Sequence, residues 1–310
     1  MSDLLTTASL VAIVASGIRL SVPLLLAGLG ETFGQRSGVL NLGVDGVMLL
    51  GAFGGYYTTL KTQNVWLGLL VGLGIGLVFG LLYGFISVTL RAEQGISGIG
   101  VYLFGLGVSD LLFQKLVGTP LPIPSFPDLA IPGVSSLPVL GPMLFEHSIV
   151  VYVAFALVPV AVIVLNKTTF GLNIRAVGET PEAADSLGVS VGRVRYATTI
   201  IGGAMAGAAG AVLTIELSIF QQNLTNAQGF IAIALVYFGA WRPIGVMLGA
   251  LLFGLLNALV LQMKTLGIIP PDASNLAAMA PAIITILALV IVANRFRAPT
   301  ALTKPFVRGT

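Results

Sequence analysis

Long apolar runs broken by short polar segments set the pattern of this chain. Runs of about 17 to 25 apolar residues suffice to cross a hydrocarbon layer as helices, and they occupy residues 4–29, 39–60, 65–90, 96–117 and 149–165. After a polar interruption at 166–195 come 197–217, 230–241, 243–263 and 276–293, nine runs in all. The expected fold is all-α, a polytopic transmembrane helix bundle of about 9 spans within a range of 8 to 10, forming a single transmembrane domain over residues 1–310. The run 230–241 is short, about 18 Å of helix against about 30 Å of hydrocarbon. It is expected either to tilt and extend into its flanks or to form a half-helix.

Composition sharpens this picture. Charged residues make up 9% of the 310 residues and the mean hydropathy is +1.01, against about 25% charge in an ordinary globular protein. So few charges cannot cover a folded object of this size in water, which excludes a cytosolic enzyme, a secreted domain and a disordered tail. The absence of Cys removes disulfides and thiolate chemistry, and a single His, His147, leaves no His cluster. Placing the loop 166–195 in the cytoplasm puts Arg36, Arg91, Lys167, Arg175, Arg193, Arg195, Arg242, Arg295, Arg297, Lys304 and Arg308 on that side. Only Lys61, Lys115 and Lys264 lie opposite, with Arg19 inside the first run, so the positive-inside bias is decisive. The C-terminus is then cytoplasmic and, with nine spans, the N-terminus outside. Residues 1–20 have no basic n-region and no small-residue cleavage site, so the first span is expected to be retained.

Glycine is the other compositional excess, 39 residues. In the third run Gly68, Gly72, Gly76, Gly80 and Gly84 recur every fourth residue, and four residues are about 400° of helix rotation. The five form one slowly winding stripe on which another helix backbone can lie close, the means by which helices associate where burying apolar area gains little. The segment 118–147 holds seven of the sixteen prolines, including Pro132 and Pro138, and reads as an ordered external loop.

Polar side chains inside apolar runs call for partners or a water-filled path. Asn41 and Asp45, four apart, are expected on one helix face near the start of the second span, lining a path or bonded to Arg19 or Arg36. Tyr237 and Asn257 are weaker candidates for a substrate path, and Asp110, Glu216 and His147 read as interfacial. No G-x-x-x-x-G-K-[ST], H-E-x-x-H or G-x-S-x-G pattern occurs, so no ATPase site, metal site or catalytic residue is expected on this chain. Nothing reads as nucleic-acid recognition.

The interruption 166–195 is the most specific stretch. Thr180 suits an N-cap, Pro181 the first helical position, Glu182 the positive end of the dipole and Gly188 the C-terminal cap. These signals delimit a helix from Pro181 to Leu187 through Ala183, Ala184 and Asp185, with Ser190 capping the next helix. So short a helix is suited to docking in a cleft of a soluble partner.

Here the residues carry a resemblance. Glu182-Ala183-Ala184 followed by Gly188 resembles the cytoplasmic EAA-type loop of ABC importer permeases. The string Gly171-Leu172-Asn173-Ile174-Arg175-Ala176-Val177-Gly178-Glu179 is similar to the branched-chain amino acid, ribose and nucleoside permease type. Gln35-Arg36-Ser37-Gly38-Val39-Leu40-Asn41-Leu42-Gly43-Val44-Asp45-Gly46-Val47-Met48 resembles the signature of its simple-sugar and nucleoside branch, and Gly239-Ala240-Trp241-Arg242-Pro243 that branch's tryptophan-proline turn. Two positions depart: Gln35 and Asp45 stand where the branch usually has Glu. The first loses a charge, so an ion pair to Arg36 is expected from Glu31 instead.

The resemblance implies an ATP-driven importer for nucleosides or simple sugars in a bacterial plasma membrane. Its partners would be a cytoplasmic ATPase subunit carrying ATP-Mg, a second permease chain of the same or another kind, an external solute-binding protein and membrane lipid, with no cofactor on this chain. Residues 180–188 would couple ATPase motion to the spans. The alternatives are a branched-chain amino acid permease and an ion-coupled secondary transporter, although the latter would need an ionisable relay and an internal repeat that the chain does not display.

Overall fold

A computed structural model describes residues 6–130, 133, 135, 139–273, 276–277, 279–281, 283–284, 287 and 297–308. Among these, ten α-helices follow one another: α1 (Thr7–Arg36), α2 (Val44–Thr62), α3 (Val65–Gly84), α4 (Gln94–Leu116), α5 (Ile149–Lys167), α6 (Thr169–Glu179), α7 (Pro181–Ser186), α8 (Val191–Leu217), α9 (Gln228–Phe238) and α10 (Pro243–Thr265). A π-helical turn, Phe85–Thr89, extends α3. Six helices are long and apolar enough to cross a membrane: α1, α3 with its extension, α4, α5, α8 and α10. α2, expected as a span, is not among them; it carries Asp45, Lys61 and a Tyr-Tyr-Thr-Thr run, and its partners bury it. The expected span 276–293 lies mostly outside the described residues, as do residues 1–5, Pro132, Pro138 and Arg295.

The all-α expectation needs one correction. In the proline-rich segment, β1 (Asp128–Ala130) pairs antiparallel with β2 (Glu146–Ser148), Leu129 facing His147. Extended backbone that proline keeps out of a helix finds its hydrogen bonds in a ladder instead.

α8 is the axis of the bundle, with α1, α2 and α3 packed around it, α4 on the far side of α2, and α10 and α5 on α1. Glycine makes this possible. Gly72, Gly76 and Gly80 of α3 lie directly on Gly207, Gly203 and Thr199 of α8, and Gly51 of α2 lies on Gly207 from another side. A Cβ on Gly80 would stand 2.6 Å from the Thr199 carbonyl oxygen. Gly68 abuts Thr59 and Gly55 of α2, and Gly84 abuts Thr199 and Tyr196. Large apolar side chains of α3, α4, α5 and α10, among them Leu70, Val78, Leu103, Ile163 and Leu248, point outward, the inversion expected where the solvent is lipid.

Within α3 the stripe can be told from its surroundings. Gly74 has nothing within 4 Å of a built Cβ, whereas Gly76 has the Gly203 carbonyl against it. Gly76→Ala is expected to lower thermal stability by about 1–3 kcal/mol through overpacking, and Gly74→Ala to be neutral or to gain up to about 1 kcal/mol of helix propensity. Melting curves of the two detergent-purified variants provide the check; equal behaviour would show that the stripe does not carry the packing.

Candidate functional site

Two interruptions of helix bring polar groups together inside the bundle. The first is residues 37–43 between α1 and α2, where Gly38 has φ +90°. Asn41 lies in this turn, not on α2, and its Oδ1 accepts the Gly43 N–H at 2.9 Å. The expectation that Asn41 and Asp45 share a helix face is therefore corrected: the local side-chain bond ends the irregular segment and starts the helix. Gln94 of α4 accepts the Leu40 N–H at 2.8 Å, and the Tyr83 hydroxyl donates to the Leu40 and Gln94 carbonyls.

The second interruption is residues 218–227, which leads from the end of α8 to α9. Asp45, fully buried at the start of α2, meets this segment with both carboxylate oxygens. Oδ2 accepts from the Thr225 hydroxyl at 3.1 Å and Oδ1 from the Gly229 N–H at 2.7 Å. The short apolar run is thus an 11-residue half-helix with a carboxylate at its N-terminus, where unpaired N–H groups and the helix dipole favour negative charge. Gly229 packs against the Asp45 backbone, a fit that a side chain would block. Neither Arg19 nor Arg36 is the partner of Asp45.

At its other end α9 turns through Gly239, Ala240 and Trp241 into α10, with Ala240 and Trp241 both at positive φ. The Trp241 indole N–H donates to Gln35 Oε1 at 2.9 Å, and the Gln35 amide donates to Glu31 Oε2 at 3.3 Å. An indole can only donate, so Gln35 must turn its oxygen to Trp241 and its NH2 to Glu31. The Asn41 N–H also reaches Glu31. Glu31 is thus engaged by an amide and a backbone N–H, not by Arg36.

Of the remaining expected residues, Tyr237 is half-buried and stacks edge-on against Trp241 with ring centroids 4.8 Å apart, and Asn257 is half-buried on α10. Asp110 accepts the Asn223 N–H at 3.3 Å. Ser148 donates to Glu216, while Arg19 reaches His147 and the Glu146 carbonyl, both at 3.4 Å. Burial holds the His147 imidazole below its ordinary range, although the Met143 carbonyl opposes this. At the start of α4 the Ile96 and Gly95 N–H groups hold the Glu93 carboxyl below the usual range.

The interruption 166–195 folds as α6 and α7 on the arginine-rich end of the bundle. α6 buries Gly171, Ile174, Val177 and Gly178 on one stripe, and Gly178 touches the Arg36 carbonyl. α7 spans Pro181–Ser186, with Leu187 as its C-cap and Gly188 at φ +86°. Thr180 is the N-cap by position but makes no side-chain cap bond, and neither does Ser190 before α8. Pro181 and Ala184 face inward, while Glu182, Ala183 and Leu187 face out, Leu187 at 86% exposure.

Three features escaped sequence reasoning. Arg195, 2% exposed, donates to the Ser37 carbonyl at 3.2 Å and the Lys304 carbonyl at 2.9 Å. The tail 297–308 crosses this end: Ala301 N–H bonds Gly178, Thr303 N–H bonds Gly38, Thr300 donates to Glu179, and Arg308 pairs with Asp185 at 2.9 Å. Gln35 and Trp241 lie 206 positions apart, and no local pattern joins them. A tryptophan in an apolar run implies an acceptor, but not which one.

The family model described as branched-chain amino acid transport system / permease component matches residues 5–293. Among curated proteins, the guanosine ABC transporter permease protein of Bacillus subtilis is 36% identical over 96% of this chain and 97% of its own length. The nucleoside ABC transporter permease protein of Lactococcus lactis is 34% identical over 93% and 94%. A Haloferax volcanii protein provisionally named a glucose ABC transporter permease is 40% identical over 87% and 83%. No solved structure matches the chain.

The bonds at Asp45 set an order among variants. Asp45→Asn keeps an acceptor for Gly229 and is expected to cost about 1–2 kcal/mol, whereas Asp45→Leu strands that N–H and the Thr225 hydroxyl and costs about 3 kcal/mol or more. Thermal unfolding of the purified protein reads the order; Leu tolerated as well as Asn would mean that Asp45 does not hold α9.

Proposed function

The chain belongs to the branched-chain amino acid transport system permease family, and from that premise we propose that it is the membrane-spanning permease subunit of an ATP-driven importer for nucleosides or simple sugars. The substrate class follows the names of the relatives, which specify guanosine, nucleosides and glucose. The arginine-rich end faces the cytoplasm, with the N-terminus outside and nine spans in all, of a plasma (inner) membrane protein. Residues 118–147 form the external loop and 166–195 the coupling loop. The partners are a cytoplasmic ATPase that holds ATP-Mg, a second permease chain of the same or another kind, an external solute-binding protein and lipid. This chain itself has no catalytic residue, metal or cofactor.

What supports the coupling role is α7. A leucine 86% exposed at the end of a short helix in a charged loop is a side chain without a place in its own fold. Seated in a cleft of the ATPase, Leu187 and the flanking Glu182 and Ala183 transmit closure of the ATPase pair. Ala184 and Pro181 fix α7 to the bundle, so its displacement reaches α8 directly and α1 through α6. Alternating access follows as these helices rock. Tyr237 and Asn257, both half-buried, line the path, and Asn41 and Asp45 shape its wall.

Uptake of labelled guanosine, uridine, ribose and glucose by cells carrying the complete system tests this reading. Leu187→Asp is expected to reduce uptake at least about tenfold, as loss of one interface anchor does, with the amount of permease in the membrane unchanged. Glu182→Arg combined with Gly188→Trp acts likewise. Uptake that survives both changes and an ATPase-dead partner would sink the coupling role, and competition by leucine alone would sink the substrate class.

A further inference from the structure

At the arginine-rich end, a cavity of about 710 Å³ opens between the end of α5, α6 and the α9–α10 turn. Its polar lining is Arg36, Arg175, Arg242 and Asn166; Leu165, Trp241 and Leu248 form much of its apolar wall. A smaller cavity of about 200 Å³ shares Arg36, Arg175 and Trp241 and adds Arg297 and Glu179. The basic side chains are held there by the fold. Arg36 ends α1, and contact of Gly178 with its carbonyl lays α6 beside it, presenting Arg175. Arg175 and Arg242 are both close enough to act electrostatically on Arg36, and Glu179 opposes them from the smaller cavity. Among the described residues neither Arg36 nor Arg175 pairs with a carboxylate within 4 Å; Arg175 donates only to the Gly171 carbonyl of its own helix, at 3.4 Å. Glu179, one acid against the four arginines that line the two cavities, accepts the Thr300 hydroxyl at 2.6 Å and makes no ion pair within 4 Å among the described residues.

Clustered guanidiniums at the edge of a low-dielectric region repel one another unless an anion lies between them, and their planar forks match phosphate oxygens. The apolar wall says what else that anion carries. Leu248 and Ile244 are more than half exposed on the outer surface of α10, so the cavity runs from the arginines onto a face that meets hydrocarbon. The arginines lie beside the C-terminal end of α5 and the N-terminal end of α10, which in the proposed orientation is the level of the inner-leaflet headgroups. A soluble phosphate or nucleotide would use the basic floor and leave the greasy wall wet. We propose that this cavity is a binding site for the phosphodiester headgroup of an anionic phospholipid of the inner leaflet, with an acyl chain lying along α5 and α10. The inference rests on the orientation proposed above, and it concerns lipid occupancy, not the transported substrate.

Native mass spectrometry of the assembled, delipidated transporter tests it, with titration of phosphatidylglycerol, phosphatidylcholine and inorganic phosphate. The expected result is about ten- to thirtyfold preference for phosphatidylglycerol over phosphatidylcholine, as two or more arginines near a headgroup give, undisturbed by millimolar phosphate. Arg36→Gln with Arg175→Gln abolishes the preference, and Arg193→Gln, at an exposed arginine on the same end, leaves it intact. If the double variant does not assemble, Arg175→Gln alone reduces the preference by about three- to tenfold. Equal binding of the two lipids, displacement by phosphate, or a preference unchanged in the Arg175 variant would overturn the proposal. Because lipid binding is read without transport, failure here leaves the importer reading standing, and failed uptake does not alter the lipid result.

Discussion

A carboxylate at the head of a broken helix fixes the interior of this protein. In hydrocarbon a backbone N–H cannot turn to water, so helix may be interrupted only where other groups take over its hydrogen bonds. The chain between α8 and α9 is such an interruption, and Asp45 answers it twice, through Thr225 and Gly229. The same rule governs residues 37–43, where Asn41, Gln94 and Tyr83 satisfy what the helix no longer does. Irregular backbone inside a membrane protein marks a cavity or a moving part, and here both irregular segments adjoin α2, the most enclosed helix.

The glycines solve a different problem. Three helices must reach α8 at nearly the same level, and side chains of ordinary size would hold them too far apart. Removing the Cβ on both partners, Gly76 against Gly203 and Gly72 against Gly207, brings backbone onto backbone. Contact of this kind is smooth along the helix axis, with no interdigitated branches to unlock. It therefore supplies van der Waals adhesion along α3 and α8 where ordinary side chains would hold the helices apart.

Local rules reached the parts of this fold whose causes are local. The glycine period of α3, the short run of α9 and the Pro181-to-Gly188 boundaries of α7 all stand in the sequence because each depends on neighbours a few residues away. Asn41 misled for the converse reason. Four positions from Asp45 means one face only if the helix is continuous, and an asparagine side chain bonding two residues ahead competes with helix. The Gln35–Trp241 bond spans 206 positions, and periodicity has nothing to say about such a partner. Nor did charge counting place Arg195 inside the protein: the carbonyls that receive it, on Ser37 and Lys304, come from segments with no pattern of their own.

Gln35 joins two partners through the two ends of one amide. An ionised glutamate at this position would still accept the Trp241 indole N–H but would supply no donor for Glu31. Glutamine presents one acceptor and one donor at the same reach, so it joins Glu31 to Trp241 without adding an ionisable group. The consequence reaches beyond the pair. α9 is then pinned at both ends, by Asp45 of α2 at its N-terminus and through Trp241 by α1 at its C-terminal turn. Any displacement of α1 relative to α2 must tilt α9 or break one of these bonds. α6 rests on the last carbonyl of α1, next to Gln35 of the C-terminal pin, while the N-terminal pin lies deep in the bundle. An 11-residue helix held this way ties the arginine-rich end of the protein to its interior.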